Sequence, residues 1–122
     1  MKPGAYKDQV AQDAAEITML CVMITQNTQY RAFCEWLGHV NGVAARIEYE
    51  GTVIADAAIY SLSVGDPERS LEQLGALRNV VQNLQAIEAG RLNPEKLPKQ
   101  MFLSTWNGPC LASPPKEVIR DE

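Results

Sequence analysis

At 122 residues, 46% hydrophobic and 21% charged, the chain has the size and composition of one globular domain, which excludes wholesale disorder and a second large core. The formal net charge is −4, and residues 1–29, 30–65, 66–90 and 91–122 carry −1, −2, −2 and +1, so no basic segment hides behind the average. This argues against direct attraction to nucleic acid or anionic lipid, and 15 Asp and Glu are too few for a DNA mimic.

The first predicted element is a helix from residue 6 to about 26. Val10, Ala14, Ile17, Cys21 and Ile24 recur at steps of four and three and form one apolar stripe. Met19, Leu20, Val22 and Met23 widen it, which predicts burial on more than one side near its C-terminal end. The run is broken by Thr18 and Thr25 and falls short of the roughly 20 residues that span a bilayer. The N-terminal residues lack the apolar core of a secretory signal. Cys21, Cys34 and Cys110 make an odd count without Cys-x-x-Cys spacing, which fits free thiols in a reducing cytoplasm.

Residues 30–49 read as a β-hairpin. Asn41-Gly42 suits a two-residue turn with positive φ at both centres, and would set Val40 opposite Val43, Gly38 opposite Ala45, Trp36 opposite Ile47 and Cys34 opposite Tyr49. All these pairs share one apolar face, while Arg31, Glu35, His39, Arg46, Glu48 and Glu50 fall on the other. Residues 30–37 also fit a short helix through Tyr30, Phe33, Cys34 and Leu37, an alternative that leaves Asn41-Gly42 unexplained. Glu50-Gly51 marks a second tight turn, and Thr52–Leu62 a third strand with an irregular middle at Asp56-Ala57-Ala58.

Asp66 as N-cap, Pro67 at the first helical position and Gly90 as C-cap bracket the clearest helix, 67–89. Leu71, Leu74, Leu77, Val81, Leu84 and Ile87 form its apolar face, and Glu72, Gln73, Arg78, Asn79, Gln82 and Gln85 its wet one. Five of the seven prolines lie beyond Arg91. Asn93-Pro94-Glu95 suits one short helical turn, and residues 100–106 an edge strand or docking arm carrying Met101, Phe102, Leu103 and Trp106.

No constellation carries a recognisable chemistry. A Cys–His nucleophile needs both groups on one surface, and Cys34 and His39 alternate to opposite faces of the ribbon. One histidine and three scattered cysteines supply no zinc spacing, so no metal site is expected. Glu35, Glu48, Arg31 and Arg46 fit a solvated sheet face or a partner surface better than an acid/base site. In the predicted register Glu35 lies opposite Glu48, an unfavourable like-charge pair unless Arg46 lies diagonal to it.

The Gly38-His39-Val40-Asn41 turn and the following strand ending Ile47-Glu48-Tyr49-Glu50-Gly51 resemble small phage- and prophage-encoded accessory proteins, over residues 30–55. In those proteins a strand-Gly-His-Val-Asn-strand segment precedes a long helix. Trp36-Leu37 stands where they usually have aromatic residues before the glycine. The resemblance implies a mobile-element origin and inhibition of a host factor as a class of function. It carries over no functional residue beyond placing His39 and Asn41 in the turn.

The expectation is one α+β domain over 1–122, with a core at 6–90 and a Pro-rich C-terminal arm at 91–122. Two long helices pack on one face of a three- or four-stranded antiparallel meander. The leading functional expectation is a non-enzymatic protein-binding accessory protein, in the host cytoplasm if phage-encoded, that occludes a host protein. An alternative is a self-associating assembly protein, dimeric through Leu77, Val81 and Leu84. A third is a small enzyme or ligand-binding domain, using the carboxylate face or a pocket between helix and sheet. Partner-binding candidates are Met101, Phe102 and Trp106 on the arm, with Arg31, Glu35, Arg46 and Glu48 on the ribbon. No catalytic residue, cofactor, membrane or direct nucleic-acid contact is expected.

Overall fold

The computed structural model describes residues 3–62, 67–96 and 101–105, in the order α1 (Pro3–Asn27), β1 (Arg31–Leu37), β2 (Gly42–Tyr49), β3 (Thr52–Ile59), α2 (Pro67–Glu88) and β4 (Met101–Phe102). The sheet order is β1-β2-β3-β4. β1, β2 and β3 form an antiparallel meander, and α1 and α2 lie on one side of it. The two helices also pack against each other. β4 joins β3 in parallel, so the sheet is mixed rather than wholly antiparallel. Its direction follows from connectivity: α2 intervenes between β3 and β4 and returns the chain to the end where β3 began.

Residues 31–37 are a strand, which resolves the helical alternative. Ala32 and Cys34 turn toward the helices beside Val43, Ala45 and Ile47 of β2 and Ala55, Ala57 and Ile59 of β3. The hairpin register differs from expectation. Leu37 pairs with Gly42, Trp36 with Val43, Cys34 with Ala45 and Ala32 with Ile47, so the turn has four residues instead of two. The side chains that remain in the strands keep their predicted faces, because the two registers differ by an even step and strand faces alternate with period two. Gly38, His39 and Val40 leave the ribbon for the turn, and Val40 is exposed instead of core-facing. The anticipated Glu35–Glu48 opposition disappears: Glu35 faces Ala44, and Arg31 faces Glu48.

The longer turn is held from outside the hairpin. Gly38–Val40 form a 3-10 turn and Asn41 takes φ 49. The N–H groups of Ser61 and Leu62 then donate to the carbonyls of Val40 and Asn41, both at 2.9 Å, and the Asn41 amide donates back to the Leu62 carbonyl. Gly42 sits where a Cβ would come within 2.5 Å of the Ile59 carbonyl oxygen, so its role is close backbone approach. Positive φ at both centres occurs at the other turn, Glu50 (52) and Gly51 (83). The irregularity in β3 falls at Ile54, skipped between the pairs Ile47–Ala55 and Glu48–Val53.

Tyr6, Val10, Ile17, Leu20, Cys21 and Ile24 give α1 its buried stripe. Met19 and Val22 are exposed, so the widening of that stripe does not bury a second side. α2 buries Leu77, Val80, Val81, Leu84 and Ile87, while Leu71 is exposed. Each fully buried aliphatic side chain of this kind contributes about 1.5–3 kcal/mol. Gly90 (φ 78) ends α2: its N–H bonds to the Ile87 carbonyl at 3.1 Å, and the Arg91 N–H to the Ala86 carbonyl at 2.8 Å. This pair of bonds is the Schellman arrangement. The expected N-cap, Asp66, lies outside the described residues.

Two side chains assigned to the wet face of α2 make tertiary contacts, and one of them, Gln73, is buried. Gln73 donates to the carbonyls of Tyr60 (3.1 Å) and Ser61 (2.9 Å) and accepts from the Tyr6 hydroxyl (2.9 Å). Arg78, half-buried, reaches across to α1 and meets Asp13 at 3.3 Å and Glu16 at 3.5 Å. The Asn93–Glu95 turn forms at Pro94–Lys96, with the Asn93 side chain accepting from the Glu95 N–H at 3.0 Å. The Tyr30 hydroxyl donates to the Glu95 carboxylate at 2.6 Å, tying the start of β1 to this turn. Burial and that acceptor both push the Tyr30 phenol above its ordinary range.

Candidate binding surfaces

Strand alternation sends one set of side chains away from both helices. Arg31, Phe33 and Glu35 of β1, Ala44, Arg46 and Glu48 of β2, Asp56 and Ala58 of β3, and Phe102 of β4 share the outer face of the sheet. Phe33 is 38% and Phe102 59% exposed. Among the described residues no helix or strand covers this face. Ala44 and Ala58 floor a recess of about 380 Å3, with Phe33, Glu35, Arg46 and Asp56 around it.

Arg46 organises one side of the recess. Its guanidinium carbon lies 4.3 Å from the centroid of the Phe33 ring, and its Nε lies 2.7 Å from Glu48 Oε2. Both groups are solvent-accessible, so the ion pair adds at most about 1 kcal/mol. Its larger effect is geometric: Arg46 is held over the Phe33 ring, and apolar and charged surface alternate across the sheet.

Of the predicted partner-binding residues, Arg31, Glu35, Arg46, Glu48 and Phe102 come together on this face. Met101 does not. It is 2% exposed and points into the core opposite Phe102, because neighbouring strand residues face opposite ways. Trp106 lies outside the described residues. Leu77, Val81 and Leu84 are fully buried within the chain, so these three side chains are core and offer no exposed surface of their own to a twin. Phe33, absent from the predicted set, is the main apolar contributor from β1. Its alternation with Ala32 and Cys34 carried that signal.

His39 is exposed in the 38–41 turn, and Cys34 faces the helices, with its Sγ 3.4 Å from Thr18 Oγ1. The Cys21 thiol next to it is pushed up to about 12, first by burial and then by Cys34. A thiol held neutral in this way is a packing group at neutral pH. The buried carboxylate of Asp13, 1% exposed, accepts from Gln9 at 3.0 Å and from Arg78, clasps α1 to α2, and does not line the outer recess. Among the described residues no group of three or more His, Cys, Asp or Glu is placed to hold a metal ion, and no helix is long and apolar enough to cross a membrane. Comparison of the chain with protein-family models, with curated proteins and with solved structures gives no match.

Proposed function

We propose that this chain is a non-enzymatic protein-binding accessory protein whose contact surface is the outer face of the sheet. The observation that supports it is the pairing of two exposed aromatics, Phe33 and Phe102, with the braced Arg46–Glu48 pair on a face left open by both helices. Aromatic and arginine side chains are favoured anchors at protein interfaces. Small residues in the neighbouring row of the sheet, Ala44 and Ala58, leave room for a protruding side chain of a partner. Charges of both signs around the recess favour a partner with an apolar protrusion ringed by complementary charges, and give orientation more than affinity. The resemblance of the 30–55 segment to phage accessory proteins makes a host protein the partner class to test.

The test is affinity capture from host extract with the wild-type chain and with Phe33→Asp/Phe102→Asp. Both positions are exposed, so the variant should retain its helical and strand circular dichroism. A stoichiometric partner lost with the double variant supports the reading. An identical set of captured proteins for both chains refutes it.

A further inference from the structure

α1 and the end of the β1–β2 hairpin do not close on each other at the N-terminal half of the helix. Between them runs a groove of about 570 Å3, floored by Tyr6, Val10 and Leu62, all buried. Its walls are Trp36, 48% exposed, and the α1 ridge of Ala11 and Ala14, whose methyl groups are too short to fill the space. The volume lies within the roughly 300–1,000 Å3 typical of small-molecule sites, and the lining is predominantly apolar.

The polar groups at this groove are few, and two are already occupied. The Tyr6 hydroxyl donates to Gln73, and the Asn41 amide donates to the Leu62 carbonyl. Lys7 is the charged residue of the lining; it is exposed and forms no salt bridge among the described residues. An apolar trough with one ammonium at its rim complements a ligand with an apolar body and one anionic end. We propose that this groove binds a small amphipathic carboxylate, with its apolar body against Val10, Leu62 and the Trp36 indole and its carboxylate at Lys7. The groove lies at the hairpin end between helix and sheet, apart from the outer face, and its occupancy does not depend on a protein partner.

Titrating the full chain with decanoate, followed by heteronuclear NMR, tests this. Saturable shifts are expected at the Trp36 indole N–H and at the Val10 and Ala14 amides. Lys7→Glu should weaken binding by about tenfold or more, as should replacing decanoate with decylammonium. Ala11→Phe, which fills the groove from an exposed helix position, should abolish the shifts without lowering the melting temperature. Absence of saturation at Trp36 up to about 1 mM overturns the proposal. Equal binding of decylammonium, or undiminished binding to Ala11→Phe, also overturns it.

Discussion

The Thr25 hydroxyl accepts a hydrogen bond from the Ala32 N–H at 2.9 Å and donates one to the Ala32 carbonyl at 3.2 Å. One side chain on α1 thereby engages both backbone groups that Ala32 turns away from β2, the work a neighbouring strand would otherwise do. β1 is an edge strand of seven residues without proline, the kind of edge that invites pairing with another chain. Thr25→Val keeps the shape and removes both bonds. It should cost about 1–2 kcal/mol in urea unfolding and raise the apparent mass in light scattering at high concentration. An unchanged unfolding midpoint would show that water replaces the hydroxyl without loss.

Gly42 and Gly51 are both turn glycines by sequence, yet they should respond differently. A Cβ at Gly42 meets the Ile59 carbonyl oxygen at 2.5 Å and Tyr60 at 3.0 Å, and backbone cannot step aside as a flexible side chain can. Gly42→Ala should therefore destabilise by about 3 kcal/mol. Gly51 has φ +83 and no atom within 4 Å of the added methyl, so Gly51→Ala should cost only about 1 kcal/mol of backbone strain. Chemical denaturation of the two variants in parallel gives the order.

Arg78 carries the polar contact between the helices. Arg78→Met keeps the aliphatic stem and removes the cation from the enclosed Asp13 carboxylate, which still accepts from Gln9. The expected loss is about 2 kcal/mol, lowered from the fully buried case because the Arg78 side chain is 41% exposed. Arg78→Lys should recover part of it, since an ammonium reaches one carboxylate but cannot fork between Asp13 and Glu16. Equal stability of the Met and Lys variants would refute the clasp.

The two described cysteines should separate by reactivity. At neutral to mildly alkaline pH, iodoacetamide should label half-buried Cys34 well before buried Cys21, read by peptide mass spectrometry. The raised Cys21 pKa also sets a sign for stability. The unfolded thiol ionises near pH 9 and the folded one near 12, so the unfolded state binds fewer protons between these values. The stabilisation is whole below pH 9 and is lost as pH rises toward 12. Cys21→Ala should flatten this decline in urea titrations made on either side of pH 9.

Much of the fold was legible because its signals are local. Gly90 announced the end of α2, and period-two alternation placed Arg31, Glu35, Arg46 and Glu48 on one face whatever the register. The register itself depends on bonds from Ser61 and Leu62 to the 38–41 turn, and nothing local to the hairpin encodes partners so distant. Gln73 reads as a surface amide until Tyr60, Ser61 and Tyr6 are seen around it. The parallel direction of β4 follows from where α2 delivers the chain, a consequence of packing. Trp36 was expected in the core by its parity; its parity is right, but α1 does not close over that end of β1, and half of the ring remains accessible.

The seating of β4 has a consequence in time. Besides its pairing with β3 and the burial of Met101 and Leu103, it is held by the Leu103 N–H on the Asp56 carbonyl at 2.7 Å, and by Asn83 and Asn79 reaching from α2 to the carbonyls of Leu103 and Ser104. Two of these three anchors exist only after α2 has docked on the meander. β4 should therefore join the sheet after the meander and α2 have formed, and open before them. Its amides should exchange with solvent by a brief local opening, long before those of β2, which only global unfolding sets free.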